Sequence, residues 1–73
     1  MATVDVFSEI TGNVWKILKS QGDTVNEDEP IAILESMKME IPVVAPEKGE
    51  ITEILVQEED IVKEGGIVAR ITV

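Results

Sequence analysis

The chain is one short unit written twice. A shift of 37 positions lays Gly12 on Gly49, Val14 on Ile51, Ile17 on Ile54, Leu18 on Leu55, Asp23 on Asp60 and Val25 on Val62. The same shift lays Ile31, Ala32 and Leu34 on Val68, Ala69 and Ile71, and Met1 on Lys38. A unit this short cannot bury an apolar face alone, so the two copies must pack together. The halves, about 1–37 and 38–73, are therefore expected to make one domain spanning residues 1–73. The chain start holds in one repeat the place that Lys38 holds in the other.

Within each copy, short β-rich runs alternate with turn signals, and no segment is long enough for a stable helix. Thr3 to Phe7 reads as a first strand, rich in residues that suit a pleated surface. Ser8 to Gly12 turns the chain. Val14 to Leu18 is ambiguous, because Val14, Ile17 and Leu18 also fit one helical turn. Gly12 before it and Gly22-Asp23 after it favour a strand. Trp15 is expected to be a partly buried packing residue, since Phe7 is the only other aromatic residue.

Thr24-Val25 reads as a short strand, followed by a polar connection from Asn26 to Pro30. Ile31 to Ser36 is a strand with Ala32 and Leu34 on one face. Ile41 to Ala45 returns from it, and Pro42 restricts that return to an edge or a strand end because proline donates no ladder hydrogen bond. Two such copies indicate a small all-β sandwich or barrel. One mismatch stands out: Glu59 falls where the first copy has Gly22. If that turn requires positive φ, a glutamate costs about 1 to 2 kcal/mol there, so the second turn is expected to be reshaped.

Composition narrows the chemistry. There is no cysteine and no histidine, which removes disulfides, thiolate metal sites and the most versatile acid-base group. Catalysis by the chain itself is disfavoured. Fifteen acidic residues against six basic ones give a net charge of -9, which opposes nucleic acid and anionic membrane surfaces. The acidic clusters at Glu27 to Glu29 and Glu58 to Asp60 read as solvated face. No apolar run approaches a membrane span, and the N-terminus has neither a basic region nor an apolar one behind it. The expectation is a soluble, monomeric, cytoplasmic domain.

The stretch Glu35-Ser36-Met37-Lys38-Met39-Glu40-Ile41 lies at the centre, with apolar runs on both sides. It reads as the tip of a hairpin presenting one amine. Tight hairpin turns favour glycine or asparagine because their central positions require positive φ, and Met37-Lys38 breaks that rule. Rule-breaking without evident compensation marks functional sites. Read from the residues alone, Lys38 also fits a solvated surface lysine, with Met37 and Met39 as adaptable fillers of the core.

Glu35-Ser36-Met37-Lys38-Met39 resembles the Ala/Ser-Met-Lys-Met attachment motif of biotin carboxyl carrier proteins, the biotin branch of the biotinyl/lipoyl domain family, and the likeness extends over nearly the whole chain. Lipoyl relatives usually place Asp before the lysine and lack the paired methionines. The resemblance implies a flattened barrel of two four-stranded antiparallel sheets with quasi-two-fold symmetry, with the modified lysine opposite both termini. It implies biotin joined covalently to Lys38 by a biotin protein ligase. It further implies a carrier that shuttles a carboxyl group from a biotin carboxylase to a carboxyltransferase, with an acyl-CoA carboxylase preferred. Glu35, Met37, Met39 and Glu40 would then serve recognition by ligase or carboxylase. Neither a thumb-like insertion nor an Ala/Pro-rich linker is present. Two alternatives remain: a lipoyl carrier, and an unmodified module whose acidic surface binds a basic partner.

Overall fold

The structure is a computed structural model and describes residues 2–73; the correspondence of Met1 with Lys38 lies outside the described residues. The chain forms eight strands: β1 Thr3–Phe7, β2 Gly12–Ile17, β3 Thr24–Val25, β4 Pro30–Ser36, β5 Met39–Val44, β6 Gly49–Ile54, β7 Ile61–Val62 and β8 Ile67–Thr72. They make two four-stranded antiparallel sheets, ordered β1-β8-β6-β3 and β5-β4-β2-β7. Pro42 sits in β5, at the edge of its sheet, where its missing N–H costs no ladder bond.

The repeat is visible in every register. Val14 pairs with Leu34 and Ile51 with Ile71; a bulge follows each pair, and Lys16 then meets Ile33 as Glu53 meets Arg70. Each sheet is nevertheless built from both halves, since β1 and β3 flank β8 and β6 in one, and β4 and β2 lie between β5 and β7 in the other. The copies interleave and do not stack as separate units. Neither half has a sheet of its own, which gives a physical reason for the duplication.

The core follows the same rule. Val6, Val14, Val25, Ile31, Ala32 and Leu34 are buried, and so are their counterparts Val43, Ile51, Val62, Val68, Ala69 and Ile71. The remaining buried pair is unequal: Ser8 corresponds to Ala45. The Ser8 hydroxyl donates to the Ile10 carbonyl at 2.6 Å, so its burial leaves no unsatisfied polar atom.

The second turn is not reshaped. Gly22 has φ 96 and Glu59 has φ 77, so the glutamate adopts the left-handed conformation. The reason lies in matched hydrogen bonds. The amide of Gly22 donates to Ile51 at 2.7 Å, and that of Glu59 donates to Val14 at the same distance. The carboxylates of Asp23 and Asp60 each accept a backbone N–H, from Ser20 and Gln57, at 2.8 Å. These bonds together outweigh a conformational cost of about 1 to 2 kcal/mol. Glu59→Gly is therefore expected to stabilise the domain by about 1 kcal/mol, raising the unfolding midpoint by roughly 4 to 8 °C, as thermal denaturation would show. An unchanged or lower midpoint would mean that this turn is not strained.

Candidate attachment site

The β4–β5 hairpin is closed by Met37 and Lys38 alone, with Ser36 opposite Met39 and Glu35 opposite Glu40. Met37 has φ 52 and Lys38 φ 65. Two positive φ values in a two-residue hairpin are the signature of a type I′ turn, here made without glycine or asparagine. Placing two side-chain-bearing residues in this region costs about 1 to 2 kcal/mol each, and two like charges facing one another across the strands add to that. The strands beneath impose this geometry. Leu34 is fully buried in β4 and pairs with Ile41 on one side and Val14 on the other.

Gly12 completes the support. A Cβ at this position would lie 2.7 Å from the Glu35 carbonyl oxygen and 3.4 Å from the Ser36 Cβ, so β2 presses against the base of the tip. Its counterpart Gly49 presses in the same way against Thr72, beside the C-terminus. β2 leads from Gly12 down to Ile17 and on to β3, where Val25 pairs with Gly49. The tip and the termini therefore stand at opposite ends of a body 37 Å long and 19 Å across.

At the tip, Met37 is 91% exposed and Met39 61%, so neither methionine fills the core. Lys38, Glu35 and Glu40 are exposed as well. Lys38 has no ion pair or side-chain hydrogen bond among the described residues. Two other cations are paired: Lys19 lies 2.8 Å from Glu29, and Arg70 holds Asp5 at 3.0 Å and Glu53 at 3.2 Å. The hydrogen bond to Glu29 raises the pKa of Lys19, which makes it harder to deprotonate. Among the described residues no group of three or more acidic side chains is placed to hold a metal ion, and no helix is long and apolar enough to cross a membrane.

Trp15 departs from expectation. It is 45% exposed, at the bulge of β2, with the Lys16 ammonium 5.3 Å from its ring centroid. Its neighbour Val14 is buried, so the alternation of the strand already turns the Trp15 ring outward, and the bulge that follows leaves Lys16 outward as well. One sequence signal pointed this way, since the repeat sets Thr52 at the equivalent position.

A two-sheet body lifting an exposed amine on a left-handed, solvent-facing turn is the geometry of an attachment domain. The family model described as "Biotin-requiring enzyme" matches residues 3–71. The chain is 41% identical over 64 residues to a biotin/lipoyl attachment protein of Bacillus subtilis, covering 88% of each chain. It is 37% identical over 68 residues to a homologue of the biotinylated protein TB7.3 from Mycobacterium leprae, covering 93% of this chain and 96% of that one. Among solved structures it superposes on the urea carboxylase of Kluyveromyces lactis with a TM-score of 0.93 at 35% identity, covering 99% of this chain and 6% of that one. The chain belongs to the biotin/lipoyl attachment domain family.

Proposed function

We propose that the protein is a biotin carboxyl carrier, modified on Lys38 by a biotin protein ligase and serving a biotin carboxylase and a carboxyltransferase, in an acyl-CoA carboxylase by preference. The observation that carries this reading is the Met37-Lys38-Met39 tip. A free amine stands between two exposed thioether side chains on a turn that ordinary hairpins avoid. The paired methionines favour biotin over lipoate.

The residues present fit the group. Lys38 surrenders no contact when its charge is lost, because it makes no ion pair among the described residues. The amine gives up a proton to the ligase, and Nζ attacks the activated carbonyl of an acyl-adenylate. A C–N bond forms, the bond to the phosphate oxygen breaks and AMP leaves. Biotin, once bound, supplies the nitrogen that carries the carboxyl group. The chain contributes reach and orientation: the β4–β5 ladder holds the Cα of Lys38 still while the side chain swings, and tethering raises local concentration in place of tight binding. Glu35, Met37, Met39 and Glu40 surround the amine and serve recognition by the modifying and using enzymes.

The test is intact mass with fragmentation after co-expression with a biotin protein ligase and excess biotin. One biotinyl group, located on Lys38, is the expected result. A lipoyl adduct after co-expression with a lipoyl ligase, or no adduct with a ligase active on a control, would overturn it in favour of a lipoyl carrier or an unmodified module.

A further inference from the structure

The repeat acts as an internal control on the surface. Because every strand position occurs twice, an exposed apolar residue required by the fold should recur in both copies. Phe7 recurs as Val44 and Leu18 as Leu55, all four exposed. Trp15 and Ile61 do not recur: their counterparts are Thr52 and Thr24. Ile61 is 74% exposed and Trp15 nearly half so, although the same backbone positions accept threonine.

The two residues lie together. With Asn13, Glu35, Glu58 and Glu59 they line one open hollow. That hollow adjoins the tip, since Asn13 is paired with Glu35 on one side and with Ile61 on the other. The neighbouring row shows the same asymmetry. Pro42, Ile33 and Lys16 stand side by side where the opposite sheet has the ion-paired Asp5, Arg70 and Glu53. An apolar centre has thus been placed selectively on the sheet that carries Lys38, with Glu35, Glu58 and Glu59 as its rim.

We infer that this hollow is the docking face for the ligase that acylates Lys38, an inference that rests on the carrier reading above. The occupant follows from two considerations. The acidic rim and the net charge of -9 call for a partner surface with an apolar centre ringed by lysine and arginine. Enzymes that use the finished carrier can grip the attached group itself, whereas the ligase meets the chain bare and has only protein surface to read. A face adjoining the tip lets it seat Lys38 while excluding other exposed lysines such as Lys48 and Lys63.

The experiment borrows its substitutions from the repeat. Trp15→Thr with Ile61→Thr installs the residues that the other sheet already carries, and the initial rate of biotin incorporation is measured against chain concentration with a purified ligase. An aromatic anchor at a desolvated centre warrants a loss of about tenfold or more in kcat/KM, mainly through KM, with biotin still placed on Lys38 at high concentration and with a near-native unfolding midpoint. Leu55→Thr removes an apolar residue that both copies share and is expected to leave the rate within about twofold.

Should the double variant fold poorly, Glu58→Lys with Glu59→Lys gives a second reading: KM rises, and the decline of the native rate with salt is weakened. Native kinetics in a folded Thr/Thr variant, or in the charge-reversed one, would overturn the docking face. A native chain that accepts no biotin from an active ligase would instead overturn the carrier reading, and the docking face with it.

Discussion

Lys38→Arg is expected to leave the domain folded and to abolish its modification. Arginine keeps the positive charge and a long side chain, and Lys38 contributes no ion pair among the described residues, so removing its amine costs the fold little. The guanidinium is not a competent nucleophile because it stays protonated at any pH the ligase would use. The remaining lysines do not substitute. Lys19 is held by Glu29 at 2.8 Å, and none of the others is flanked by the exposed methionines of a left-handed turn. Mass spectrometry after ligase treatment should show no adduct, beside an unfolding midpoint within about 2 °C of the native one. A biotinyl group elsewhere on the variant would refute Lys38 as the site. A large drop in midpoint would mean that Lys38 has a structural role that its exposure does not suggest.

Leu34→Ala is expected to have the largest effect on stability. Leu34 is fully buried, and truncating such a leucine in a packed core costs about 2 to 5 kcal/mol. A two-sheet body of this size has little stability to spare, so the midpoint should fall by at least about 10 °C. The consequence reaches the tip. Leu34 pairs with both Ile41 and Val14, and these contacts force Met37 and Lys38 into positive φ. Loosening them releases the turn, so modification at a temperature where the variant is still folded should also slow. Ile71→Ala, its counterpart below the termini, should destabilise to a similar degree while leaving the tip geometry intact. Equal loss of modification in both folded variants would show that hairpin rigidity is not what the ligase needs.

Much of this was legible in the sequence because periodic burial leaves a direct trace. Core positions recur at one spacing, since every pair of equivalent strand positions faces the same interior. The hairpin tip was legible because Met37 and Lys38 break turn chemistry: methionine and lysine stand where glycine or asparagine would be easy, and the backbone there does adopt left-handed angles. The expectation of a reshaped turn at Glu59 failed for a reason of distance. The hydrogen bonds that hold Glu59 and Gly22 come from Val14 and Ile51, and no local reading of a turn includes bonds from the far half of the chain.

Trp15 failed for a more local reason. Its size suggested packing, but it follows the buried Val14 in β2, so period-two alternation already sets it on the outer surface, where it is 45% exposed. By itself the sequence determined the strand content, the paired core and the one amine set apart by its neighbours, because these rest on residue type and spacing. Tertiary structure alone decided that the halves interleave, that two left-handed residues are tolerated at the tip, and that Trp15 and Ile61 share a hollow beside it. Each of these depends on which distant strands become neighbours, and pairing across a sheet is set by the packing of the whole core and not by any local run of residues.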